Sequence, residues 1–294
     1  MERKNNRFVS NIGFILACVG SAVGMANVWG FPYKLGSNGG GAFLLIYILF
    51  VILFGYVGLS AEYAIGRRSG TGTLGSYAYA WKHGRKDLEG IGKIIGWLPL
   101  AGSITIAIGY AVIIVYVLKA FTQSAFGSIM TVEPGQWFES FAFQQFSVVP
   151  YHAVIIIVTL LTIVLGAHTI EKTNKIMMPL FFILFAALAV RMAFLPGAFV
   201  GIGVFMEPIA ETKGAILGGW GAWMDLVSTY IIPIGAVLGA VSWFWVMKKD
   251  ELLDEINTGA KKHYGNGWYY LGKYVYTLFA LFLCVVALVR GEGF

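Results

Sequence analysis

The chain has 294 residues, of which 58% are hydrophobic and 12% charged, with a mean hydropathy of +0.74. An average soluble domain carries about 25% charged residues, so an ordinary water-soluble globular protein is excluded. The net charge of +6 comes from 21 Lys and Arg against 15 Asp and Glu, dispersed among the stretches between apolar segments, which argues against a nucleic-acid surface. The two cysteines, Cys18 and Cys284, both lie in apolar stretches and supply neither a disulfide framework nor a metal cluster.

Apolar segments of membrane length run over about 9–33, 42–65, 95–121, 150–166, 176–195, 224–247 and 268–289. About 20 such residues in a helix cross a hydrocarbon core of about 30 Å, and barrel strands would alternate instead. The predicted class is therefore all-α: a polytopic helical membrane protein with seven spans. The first segment contains Asn27 and Pro32 and leads through a Gly-rich turn into the second, so it reads as a retained span rather than a cleaved signal peptide. Between spans, 66–94 is basic, 122–149 carries Glu133 and Glu139 but no Lys or Arg, and 196–223 is rich in Gly and Trp with no structural signal of its own.

Lys and Arg set the expected orientation. Sixteen of the 21 fall on the side that holds Arg3, Lys4 and Arg7, and the other five are Lys34, Lys119, Arg191, Lys213 and Arg290. That bias predicts a plasma (inner) membrane protein with a cytoplasmic N-terminus and, after seven spans, a C-terminus outside.

Residues 20–32 read Gly-Ser-Ala-Val-Gly-Met-Ala-Asn-Val-Trp-Gly-Phe-Pro in the middle of the first span. Gly costs about 1 kcal/mol and Pro about 3 relative to Ala in a helix interior, so a local unwinding is expected near Val23 to Asn27. In hydrocarbon each freed amide or carbonyl costs several kcal/mol unless it faces protein, water, a substrate or an ion. Small residues such as Gly20 and Gly24 also serve close helix packing, and composition alone leaves both readings open.

The run Asn11 to Arg68, with Gly-Phe-Ile-Leu-Ala at 13–17, Ser-Ala-Val-Gly-Met-Ala-Asn-Val-Trp at 21–29, Phe31-Pro32, Asn38-Gly-Gly-Gly-Ala-Phe43, Glu62 and Gly66-Arg67, resembles the neurotransmitter:sodium symporter family, bacterial amino-acid branch. The resemblance continues through Trp97 to Leu100, Tyr110, Ile170 to Lys172, Lys175 to Pro179 and Arg191. It implies a first five-helix inverted repeat, broken in its first helix, over 1–195, a connecting outer loop over 196–223, and two helices over 224–294 that match spans ten and eleven. Counterparts of spans six to nine are missing, through a truncated or mis-assembled gene, a natural internal deletion or a deliberate one.

The resemblance also implies site residues. The backbone of Ala22, Met25 and Ala26 faces an amino-acid substrate, while Ala22 and Asn27 belong to one sodium site and Gly20 and Val23 to the other. Helix-break carbonyls and an amide oxygen suit a hard cation. Gly24 stands where monoamine carriers have an Asp, leaving room for a substrate that brings its own carboxylate. Tyr110 matches the tyrosine that binds that carboxylate, with Ile106, Ala107 and Ile113 as neighbours suited to an aliphatic or aromatic side chain. Glu62 matches a residue bracing span six, and Asp225 matches half of an outer gate whose arginine is replaced here by Gly30. Tyr47 matches a position near the chloride site of chloride-dependent members, and chloride dependence and oligomeric state stay unassigned.

The expected function is sodium-coupled amino-acid symport, or an internally deleted form that does not transport alone because half of each ligand shell is missing. The alternative is a non-transporting membrane partner of a full-length homologue. No nucleophile, base and oxyanion arrangement assembles from the chain, so no enzyme is expected. A retinal protein would need a lysine in the middle of its last helix, and residues 274–289 contain none.

Overall fold

The computed structural model describes residues 8, 10–24, 26–84, 86–133, 136–138, 141, 144, 146–164, 166–194 and 226–290. All seven apolar segments form helices. In chain order these are α1 (Asn11–Ala22), α2 (Phe31–Ser37), α3 (Gly41–Ser69), α4 (Thr73–Lys82), α5 (Glu89–Ala125), α6 (Val149–Val164), α7 (Ala167–Ala193), α8 (Val227–Val246), α9 (Lys249–Asn257) and α10 (Asn266–Val289). Five of them, α3, α5, α7, α8 and α10, are long and apolar enough to cross a membrane, while α1 and α6 are shorter apolar helices. Among the described residues there is no strand beyond one isolated bridge between Gly84 and Met247. The chain is a polytopic all-α membrane protein.

The chain packs as two compact units, one of Met1–Ile46 with Ala111–Lys213, the other of Tyr47–Tyr110 with Gly214–Phe294. In the first, α1 lies along α7 through small residues. Gly13 and Ala17 are buried, and a Cβ on Gly13 or Gly20 would meet side-chain atoms of Glu171 or Asn174 at 2.2 and 2.3 Å. Spacings of four and three residues put Gly13, Ala17 and Gly20 on one face, and Glu171, Asn174 and Met178 answer them from α7. Helix α7 begins well before the predicted span, because its polar first turns serve this contact rather than a loop. The same unit holds an aromatic cluster around Phe141, which is 1% exposed, with Tyr116 and Tyr151 edge-on and the Lys119 ammonium 3.4 Å from its ring centre.

The second unit carries the larger core. Val57, Ala61, Ala64 and Ile65 of α3 pack with Tyr77 and Ala80 of α4, Ala240, Trp243 and Phe244 of α8, Leu252 of α9, and Trp268, Tyr269 and Tyr276 of α10. Wide π-helical turns interrupt α3 at Phe54–Leu59 and α10 at Leu271–Tyr276, and they face each other: a Cβ on Gly58 would lie 2.8 Å from the Tyr276 hydroxyl. Amphipathic α4 and α9 close the end of this core. Trp81 Nε1 donates to Ser242 Oγ at 3.0 Å, and buried Glu255 accepts from Arg67 Nε at 2.5 Å, with Arg68 at 3.5 Å.

Candidate functional site: a broken first helix

Helix α1 starts at Ser10, whose extended backbone and side-chain hydroxyl form an N-cap; its Oγ accepts from Gly13 N–H at 3.0 Å. The same Ser10 is held from α7. Its N–H and Oγ–H donate to Glu171 Oε1 at 3.2 and 2.9 Å, and Lys175 Nζ donates to that oxygen at 2.6 Å. Glu171 is 2% exposed, so its charge depends on these donors for the hydration it has lost. The start of α1 is thereby fixed to α7.

Its far end packs on α7 through Gly20 and stops in the middle of the apolar segment. Val23 N–H still donates to Val19 O at 2.9 Å, but Val23 itself is extended, with φ −83° and ψ 107°. Gly24 N–H then turns away from the Gly20 carbonyl and donates to Asn27 Oδ1 at 2.8 Å, while Asn27 N–H donates to Gly24 O at 3.0 Å. The Asn27 side chain that reaches back to the Gly24 amide supplies one half of a capping box; Gly24 has no side chain for the other half, and its carbonyl takes the Asn27 amide instead. This pair restarts the chain as a π-helical turn, Ala26–Gly30, leading into α2 with Pro32 in its first turn. The expected unwinding at Val23 to Asn27 is present but shorter, because Asn27 caps the next segment and draws the helical turn back to Ala26.

The consequence is chemical. A helix that stops at Val23 leaves last-turn carbonyls without their usual donors, and the Gly20 carbonyl has lost the Gly24 amide. Gly20, Ala22, Val23 and Asn27, expected at the sodium sites, all belong to this one break, as does Gly24. Asn27 is exposed, and its side-chain oxygen has accepted one hydrogen bond and keeps a second lone pair. Gly24 is half-buried and bears no carboxylate. Met25 lies outside the described residues, as does Asp225.

Tyr110 and Glu62 lie in the other unit. Tyr110 is half-buried in α5, and Glu62 is exposed in α3, eight residues before that helix ends at a left-handed Gly70. Two residues received no role in the sequence reading, although Glu171 lies in the Ile170 to Lys172 match. Glu171 and Asn174 sit in a polar run that hydropathy assigns to a loop, although their spacing with Met178 marks one helical face. Asn174 brings its amide oxygen against Gly20, at the last full turn before the break, while its Nδ2 donates to Ile170 O at 2.9 Å.

Comparison with known proteins bears on the same stretch. Residues 5–139 match the sodium:neurotransmitter symporter family. An uncharacterized sodium-dependent transporter of Bacillus subtilis is 33% identical over 211 residues, 70% of this chain and 46% of that protein. One from Methanocaldococcus jannaschii is 29% identical over 270 residues, 86% and 51% of the two chains. The sodium-dependent neutral amino acid transporter B(0)AT2 of Rattus norvegicus is 36% identical over 115 residues, 39% and 15%. The chain thus spans about half the length of its bacterial and archaeal relatives. The matched stretch contains the Ser10 cap, the break and its Asn27 lock, and over the part of the fold that it covers this chain belongs to the sodium:neurotransmitter symporter family.

Proposed function

We propose that the chain is the sodium- and substrate-binding half of a sodium-coupled amino-acid symporter. The observation that carries this is the break between Val23 and Ala26, held open by the Gly24 and Asn27 pair inside an apolar helix. Such a break is sustained in a membrane where its freed carbonyls meet protein, ions, substrate or water, and sodium and an amino acid would fill that role here. On this reading Gly20 and Val23 carbonyls supply one sodium site, Ala22 and Asn27 the other, and Ala22, Met25 and Ala26 receive the amino acid. Gly24 favours a substrate that brings its own carboxylate. The rat relative, a sodium-dependent neutral amino acid transporter, supports the same class.

The missing half limits what the chain does alone. Residues 1–195 correspond to the first repeat and 224–294 to two late spans, leaving Glu62 without the helix its counterpart braces. Amplification across the codons for Phe205 to Trp223, with sizing of the expressed polypeptide, tests whether that junction is continuous. The N-terminus is cytoplasmic on the Lys and Arg bias.

The direct test is completion. Residues 1–195 are fused to the second half of the Bacillus subtilis relative, and uptake of radiolabelled Leu, Tyr and Trp is measured with and without a sodium gradient. Sodium-dependent uptake that Asn27→Ala abolishes is the expected result. A chimera that carries monoamines, or carries amino acids equally well without sodium, would contradict the reading.

A further inference from the structure

A second cluster of charge and rings lies far along the chain from the helix break, where α8 ends and α10 begins. Trp245 stands one residue before the end of α8, and Lys249 follows three residues after that end. From the first turns of α10, Tyr269, Tyr270, Lys273 and Tyr274 meet them. The Lys273 ammonium lies 4.7 Å from the centre of the Trp245 ring and 5.9 Å from that of Tyr269. The Lys249 ammonium lies 5.4 Å from Tyr270 and 5.9 Å from the same Tyr269 ring. Two like charges therefore share one aromatic side chain. Among the described residues neither ammonium is within ion-pair distance of a carboxylate.

The rings are fixed rather than free to fold over the charges. Trp245 Nε1 donates to Lys273 O at 3.0 Å and Tyr269 Oη to Phe244 O at 2.8 Å. Tyr270 and Tyr274 stack at 6.0 Å with an interplanar angle of 14°, and Tyr274 meets Trp245 edge-on at 5.9 Å. Trp245, Tyr270 and Tyr274 are nonetheless 46%, 47% and 48% exposed. They sit at the ends of two helices apolar enough to span a bilayer, which is the depth of the headgroups.

Two ammonium groups gathered on one ring without a carboxylate attract an anion, and exposed amphipathic rings at headgroup depth suit a partner that is apolar on one side. A soluble anion meets only the first need. We propose that the adjoining ends of α8 and α10 form a binding site for the headgroup of an anionic phospholipid, with Lys249 and Lys273 on its phosphate and the exposed rings flanking its glycerol backbone. The site requires no particular leaflet and does not involve the transport residues.

Native mass spectrometry of the whole detergent-purified chain, titrated with phosphatidylglycerol or with phosphatidylcholine of the same acyl chains, tests this. The unmodified chain should retain phosphatidylglycerol in preference to phosphatidylcholine, a comparison that needs no variant. Each lysine near an anionic surface is worth about fivefold, so Lys249→Gln with Lys273→Gln should weaken retention about 30-fold. Lys261→Gln with Lys262→Gln, two exposed loop lysines, should leave it within about twofold. Equal retention of the two lipids, unchanged phosphatidylglycerol binding in the Lys249 and Lys273 double variant, or displacement of the lipid by millimolar inorganic phosphate would each overturn the proposal.

Discussion

Gly13→Ala separates two effects of opposite sign. Helix propensity alone favours it, because Ala in place of Gly inside a helix gains about 1 kcal/mol. Packing opposes it. The new Cβ would lie 2.2 Å from Glu171 Oε1 and 2.4 Å from Cδ and Cγ, and Glu171 is 2% exposed and held by Ser10 and Lys175. Overpacking a tight contact costs about 1–3 kcal/mol, and displacing the carboxylate from its donors adds about 1.5–3. The net expectation is a loss of about 1.5–5 kcal/mol at the contact of α1 with α7. Cys18, half-buried on α1, reports it. With Cys284 replaced by Ala, the rate of Cys18 alkylation in detergent should rise at least about tenfold in Gly13→Ala. In a Glu171→Ala background the same substitution should cost little, giving a coupling of at least about 1 kcal/mol. Alkylation at or below the unmodified rate, with no coupling, would refute the argument.

Asn27→Ala removes the acceptor of the Gly24 amide, and a net hydrogen bond of about 0.5–1.5 kcal/mol predicts about two- to tenfold faster hydrogen exchange at Gly24; an unchanged rate would remove Asn27 from the lock. Glu255→Ala leaves half-exposed Arg67 and Arg68 to water, so the cost should be about 1–2 kcal/mol, or about 2–8 °C in melting temperature, and no shift would mean that the pairs hold nothing. A single cysteine at Lys262, with Cys18 and Cys284 replaced, should stay unlabelled by a membrane-impermeant thiol reagent in right-side-out vesicles; full labelling would invert the proposed orientation.

Hydropathy and helix chemistry account for much of what the sequence reveals. The seven apolar runs are long enough to be read one by one, and Gly20, Gly24 and Pro32 announce the break because their backbone effects are local. What stays hidden is long-range. Residues 167–175 read as a loop since Glu171, Lys172 and Lys175 lower the local hydropathy, yet Glu171 is buried because Ser10 and Lys175 compensate its charge. Helices α4 and α9 are legible only once Tyr77 and Leu252 are seen to close the core of α3, α8 and α10. Asn27 resembles a sodium ligand in sequence, while its bond to Gly24 N–H, which shortens the break, depends on a turn no periodicity encodes. The π turns at Phe54–Leu59 and Leu271–Tyr276 carry no composition signal either, and arise where the two helices meet.

The half-site claim is tested most directly by transport. The purified chain is reconstituted alone into liposomes, an inward sodium gradient is applied, and uptake of Leu, Tyr and Trp is followed. A broken helix that supplies only one side of each ligand shell predicts no uptake above empty liposomes. Robust, saturable, sodium-dependent uptake that Asn27→Ala abolishes would contradict it, and would mean that this chain holds a whole transport site.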